Sequence, residues 1–313
     1  MNQGWTYCDR ITPSSVGQTV LTYYAQRYQH STAQQWQSRI EQGQIHLDNQ
    51  PVHPHTRLKP NQTLSYHRSP WAEPNVPLTF DILHEDDALW AIAKPAGLPV
   101  LPGGKFLQHT LLHQLKARYP NENPIPIHRL GRGTSGVMLI AKTQQARRDL
   151  SAQFRARTAN SETAPTLTKT YRALIGPAPH LPNHFTCTDA IGKIPYPHLG
   201  YLHARIAPHH PTAKPAQSDC QILQRRPTST LLQVNIITGR PHQIRIHLAA
   251  QGHPLLGDPL YQPGGIPHPA ARAIPSDCGY HLHAHCIRLI HPHSGKTLYV
   301  EAPLPEILKE SSG

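Results

Sequence analysis

The chain has 313 residues, enough for a large core without disulfides, and 30 Lys and Arg against 18 Asp and Glu leave a formal charge of +12. That balance favours a polyanionic partner, nucleic acid before an anionic membrane. The composition, with 33 prolines, excludes a coiled coil and a collagen-like chain, and no apolar run approaches the roughly 20 residues of a membrane-spanning helix.

Taken from the N-terminus, MNQGWTYCDR has neither a secretory nor a transit-peptide layout. Ser14 or Ser15 is placed to cap a helix through Val16, Val20, Leu21 and Tyr24. A second helix is predicted from about Ser31, with Trp36 and Ile40 on one face and Gly43 as its stop. QIHLDNQPV reads as a hairpin turning at Asp48 and Asn49. These elements define a small α/β module over residues 1–68. SPWAEPNVP, with Pro70, Pro74 and Pro77, reads as a Pro-rich linker over residues 69–77.

From residue 78 to 313 short strands dominate: LTFDIL, ALWAIAKP, IPIHRL, VMLIAKT, KTYRALIG, LLQVNIIT, YHLHAHCIRLI and TLYVEAP. Helices are predicted from Gln144 to Arg157 and from Pro241 to Gly252, and TANSETAPTLT reads as a polar loop. Many strands and few helices imply an α+β fold on a mixed, largely antiparallel sheet. Five scattered cysteines (Cys8, Cys187, Cys220, Cys278, Cys286) form no CxxC pair and fit free thiols in a reducing cytoplasm.

Four patterns invite a chemical reading. GRGTSG, from Gly131 to Gly136, matches a dinucleotide fingerprint, but a strand-like run follows it where a helix belongs, so a turn between strands is the plainer account. His281, His283 and His285 share one strand face near Cys278 and Cys286, which admits zinc; a half-exposed strand with Leu282, Ala284 and Cys286 inward is simpler. Lys142, Arg147, Arg148, Arg155, Arg157, Lys169 and Arg172 form a basic stripe suited to phosphates. Arg240, His242, Gln243 and Arg245 crowd the first turn of a helix, where unpaired N–H groups favour anions.

Read in order, IHRL, TSGVMLIAKT, KTYRALIG, TGRPHQIRIHLAAQGHPLLGDPLY and YHLHAHCIRLIHPHSGKTLYVEAPLP resemble the RluA-type RNA pseudouridine synthases. The resemblance runs from about Leu78 to the end, and the first module is similar to an S4-type RNA-binding module. It implies isomerisation of a uridine in structured RNA, ribosomal or transfer RNA, by a cytoplasmic monomer with no metal and no cofactor. The base must leave its stack, which calls for a basic groove and a pocket. Tyr171 matches the family's tyrosine against the reacting base, and Arg129 matches the arginine of its HRLD-type motif. Arg132, Lys142, Arg147, Arg148, Lys169, Arg240, His242, Gln243 and Arg245 are the expected RNA contacts. One position departs: Gly131 stands where the family carries its catalytic aspartate, and Gly133 replaces an acidic residue often found in that turn. Asp149 and Asp258 are the carboxylates considered as substitutes, and a non-catalytic RNA-binding protein is the rival reading.

Overall fold

The structure is a computed structural model in which residues 1–158, 167–197, 199–267 and 272–311 are described. Most of the predicted polar loop before Thr168 lies outside them, as does the Arg157 side chain. Contacts divide the chain into Met1–Glu73 with Pro195–Leu202, and Pro74–Ile194 with His203–Gly313.

In the first unit β1 (Trp5–Arg10) is followed by α1 (Val20–Arg27), α2 (Ala33–Glu41), β2 (Ile45–Leu47), β3 (Gln50–Pro51) and β4 (Thr63–Arg68). The sheet order is β1-β4-β2-β3. The first helix starts later than the apolar spacing suggests. Thr19 accepts from Thr22 N at 3.1 Å and caps it, while Ser14 and Ser15 sit in a separate 3-10 turn. Thr32, not Ser31, opens the second helix, through a capping box with Gln35 at 2.9 and 3.2 Å. Asp48 and Asn49 both take positive φ, 51° and 65°, as a two-residue hairpin turn of the primed kind requires. Val20, Tyr24, Trp36, Ile40, Ile45, Leu58 and Leu64 close this core.

The rest of the chain gives β5 (Asp81–Glu85), β6 (Leu89–Lys94), α3 (Leu111–Arg118), β7 (Ile125–Pro126), β8 (Ser135–Ala141), α4 (Gln144–Thr158) and β9 (Thr168–Ile175). After them come β10 (His184–Cys187), β11 (Ile191–Tyr196), β12 (Gly200–Arg205), β13 (Ser218–Arg225) and β14 (Thr230–Ile236). The chain continues through α5 (Gln243–Ala250), β15 (Tyr261–Gln262), β16 (Ile266–Pro267), β17 (Leu282–Ile290) and β18 (Thr297–Glu301). The main sheet runs β10-β13-β14-β9-β17-β8-β6-β5, with β18 beside β17 and β7 beside β8. Of IPIHRL, only Ile125 and Pro126 pair as a strand; α3 was not foreseen, its apolar Leu111 and Leu115 being too few to announce a helix.

Strand alternation divides the core into two layers. Met138 and Ile140 of β8 point to a layer holding Leu130, Tyr171, Tyr280, Ile244 and Leu248. Val137 and Leu139 point to the other, which holds Ala146 and Leu150 of α4. Helices α4 and α5 therefore lie on opposite faces of the sheet. β8 pairs with β17 in parallel, Ser135 with His283 and Gly136 with Ala284, while the other described pairings of this sheet are antiparallel. Only glycine serves at 136: φ is +111°, and a Cβ would lie 2.1 Å from the Ala284 carbonyl oxygen. Because two parallel strands start at the same end, the turn before β8 and the segment before β17 lie side by side.

Candidate active site

Residues Gly131–Thr134 form that turn, with Thr134 N donating to Gly131 O at 3.0 Å. GRGTSG thus leads directly into β8 and opens no helix. Beneath it lies Lys94, 1% exposed, whose Nζ donates to the carbonyls of Pro95 (2.8 Å), Leu98 (2.9 Å) and Arg132 (3.3 Å). Gly97 N donates to the same Arg132 carbonyl at 2.7 Å. Burial of the ammonium pulls the Lys94 pKa down from 10.5 to about 7. Arg132 anchors outward, Nε donating to Ser276 O at 2.8 Å with the guanidinium 5.2 Å from the Phe106 ring centroid.

Tyr280, just before β17, fills the space over the glycines. A Cβ on Gly131 would meet its Oη at 2.9 Å, and one on Gly133 would meet Cε1 and Cζ, each at 2.9 Å. Its hydroxyl lies 3.2 Å from Thr134 Oγ1, and the Arg245 guanidinium stands 4.2 Å from the ring centroid. Burial, opposed in part by the nearby Arg245 charge, raises the phenol's pKa and keeps it protonated near neutrality. Sequence reasoning missed this residue. GYHLHAH drew attention to its histidines, and nothing local marks a tyrosine as the neighbour of a turn 146 positions earlier.

The two carboxylates considered as substitutes are both engaged elsewhere. Asp258 is buried in a bidentate pair with Arg245, Oδ2 with Nε at 2.7 Å and Oδ1 with Nη2 at 2.8 Å. Oδ1 also accepts from the N–H groups of Leu260 (2.9 Å) and Tyr261 (3.1 Å), leaving this carboxylate engaged as structure. Asp149 accepts from Gln145 on α4, whose core contacts are on the sheet face away from Tyr171 and Tyr280.

The predicted RNA contacts separate in the same way. Arg129 is exposed beside the turn, and Arg147 and Arg148 are exposed on α4. Lys142 is taken up by Glu122 at 3.2 Å and Glu85 at 3.7 Å, and Lys169 is buried with Nζ 4.9 Å from the Phe154 ring centroid. Gln243 is a correction. It is buried, donating to Gln217 O (2.7 Å) and Ser218 Oγ (2.9 Å) and accepting from Thr238 Oγ1 (2.7 Å) and Arg240 N (3.0 Å). Arg245 is a second one, its charge spent on Asp258. Both face inward because the first turn of α5 packs under the sheet.

Arg240 is half-buried, its Nε donating to Pro215 O at 2.8 Å. His242 caps α5 in the left-handed region at φ 55°. Tyr261 gives its one hydroxyl proton to His203 O (2.7 Å), so it must accept from His242 Nδ1 at 2.8 Å, which leaves the lone pair of the neutral ring on Nε2. Burial, with the nearby charges of Arg245 and His203, lowers the His242 pKa to about 3 and keeps the ring neutral. Tyr171 is buried on β9 level with Ala284, and thus two strands, about 10 Å, from Gly136.

The histidines of HLHAH do not converge. His283 pairs with Ser135 Oγ at 2.8 Å, and His285 pairs with Ala302 O at 3.3 Å. A register shift between Ala284 and Cys286 interrupts the expected alternation, so Ile287 is buried instead and Cys286 is half-buried. Among the described residues, the group with metal-ligand spacing is His84, Asp86 and His291. Its tautomer does not suit a metal. His291 Nδ1 accepts N–H bonds from Ser294 (3.0 Å) and His293 (3.2 Å), so Nε2 carries the proton that it donates to Asp86 Oδ2 at 2.8 Å.

Comparison with known proteins defines the class. The family model described as RNA pseudouridylate synthase matches residues 88–250. An uncharacterised RNA pseudouridine synthase of Synechocystis sp. is 54% identical over 91% of this chain and 94% of its own length. Ribosomal large subunit pseudouridine synthase D of Nitrosomonas europaea is 37% identical over 72% of this chain and 62% of its own. Among solved structures, human RNA pseudouridylate synthase domain containing 1 shares the fold with a TM-score of 0.57 and 23% identity, covering 76% of this chain and 89% of that one. The chain belongs to the RNA pseudouridine synthase family, a class of isomerases.

Proposed function

We propose that this chain converts uridine to pseudouridine in structured RNA, ribosomal or transfer RNA, by breaking the N1–C1′ bond and joining C5 to C1′. The observation that carries the reading is the juxtaposition of the GRGTSG turn with Tyr280 and Arg245 at one end of the family's sheet. Ribosomal RNA is the favoured class, supported by the relative named for the ribosomal large subunit. In this reading Tyr171 walls the flipped base, and Arg129, Arg132, Arg147, Arg148 and Arg240 meet phosphates. Residues 1–68 act as an S4-like RNA-binding module joined through the Pro-rich segment 69–77, and the protein works as a cytoplasmic monomer. Among the described residues no helix is long and apolar enough to cross a membrane.

The test is tritium release from large-subunit ribosomal RNA and transfer RNA transcripts labelled at uridine C5. Release from one transcript assigns the substrate class; release from neither, with tight binding retained, favours the rival reading of an RNA-binding protein without turnover. Gly131, which offers no carboxylate, is the observation behind that second reading.

A further inference from the structure

We propose that Tyr280 is the polar group this chain presents to the reacting uridine, in the space where a side chain at position 131 would otherwise stand. The inference rests on the uridine-isomerising reading above and deepens it. Gly131, Gly133 and Tyr280 form one steric unit. Neither glycine could carry a Cβ without approaching the tyrosine to 2.9 Å, at Oη for Gly131 and at ring carbons for Gly133. At a separation below 3 Å the ring and an added Cβ cannot both keep these positions.

The ring is held from two other sides. Arg245 lies 4.2 Å from its centroid, and Thr134 Oγ1 lies 3.2 Å from its hydroxyl. Arg245 is itself immobilised by Asp258 and by donation from Nη1 to Pro275 O at 3.0 Å. Tyr280 is 4% exposed and its bond with Thr134 Oγ1 is buried, whereas Gly131 is exposed, so Oη lies directly beneath an accessible stretch of the turn. A nucleoside entering over Gly131 would meet the phenol where an aspartate would have offered a carboxylate.

A neutral phenol there donates a hydrogen bond and forms no bond to the substrate. The balance of the isomerisation is unchanged: N1–C1′ breaks, C5–C1′ forms, the C5 proton leaves to water and N1 takes one from water. Because the phenol occupies this space, Gly131→Asp requires Tyr280 to shift before a carboxylate can stand there.

The experiment uses the full chain and two transcripts of large-subunit ribosomal RNA, one with uridine tritiated at C5 and one carrying 5-bromouridine for ultraviolet cross-linking. Tyr280→Phe keeps the ring and removes only Oη. With turnover in the unaltered protein, kcat of Tyr280→Phe should fall at least about tenfold at nearly constant KM and unchanged Tm. A smaller fall in kcat, or a change confined to KM, overturns the proposal. If Tyr280→Phe does not fold, or the unaltered protein releases no tritium, the cross-link decides. A bromouridine adduct mapped to Tyr280 upholds the contact even where the uridine-isomerising reading has failed, and an adduct mapped elsewhere, or none, overturns it. Full turnover by Tyr280→Phe would sink Tyr280 while leaving the isomerase reading intact.

Discussion

Arg245 and Asp258 form a bidentate ion pair, 2.7 and 2.8 Å, with side chains only 2% and 0% exposed, and this pair supports the ring of Tyr280. Two charges removed from water hold each other only while both are present. Deleting one leaves the other buried without compensation. Asp258→Ala should therefore cost about 3–5 kcal/mol, read as a shift of the urea midpoint at neutral pH. An undiminished midpoint would show the pair to be incidental.

Lys94 gives a pH signature. Its ammonium is buried among carbonyls with its pKa pulled from 10.5 down to about 7. Between those values the unfolded chain keeps a proton that the folded chain has released, so stability climbs with pH across this window. Below pH 7 both states are protonated and the full desolvation cost stands. Lys94→Met should flatten the rise, measured as the difference in urea-unfolding free energy between the two proteins at intervals from pH 7 to 10.

Arg147 and Arg148 are exposed on α4. If they meet phosphates, replacing both with Gln weakens RNA binding and makes the slope of log Kd against log salt shallower by about 1–2. Fluorescence anisotropy from low to moderate salt reads this directly. A parallel slope would remove α4 from the RNA interface.

Gln243 yields the contrary expectation. Its amide is satisfied internally on both sides, so Gln243→Leu strands the groups it bonds, Ser218 and the Gln217 carbonyl among them. Stability should drop by about 1–3 kcal/mol while the RNA affinity of the folded protein holds. Loss of affinity at full stability would return Gln243 to the RNA interface.

Much of the fold was legible in the sequence. The apolar run of VMLIAKT, the alternation of KTYRALIG and the Asp48–Asn49 turn are local signals, and they reappear as β8, β9 and the β2–β3 hairpin. Caps were harder. Serine and threonine both cap helices, and Thr19 and Thr32 stand close enough to Ser14, Ser15 and Ser31 that residue type alone does not choose between them. The site was legible only in part. A polar residue at a helix start has the same letter whether it faces RNA or the core, which is why Gln243 and Arg245 were read outward.

The sequence by itself determined the charge, the order of the family's motifs and the absence of a carboxylate at position 131. Composition and motif order are properties of the chain, and they survive any folding. What lies in the space beside Gly131 was decided by tertiary structure alone. Parallel pairing of β8 with β17 joins two ends far apart in the chain and sets Tyr280 over the glycines. The same packing commits Asp258 to Arg245 and puts Asp149 on the opposite face of the sheet. Steric exclusion and charge pairing act over a few ångströms, and only the folded chain fixes which residues come that close.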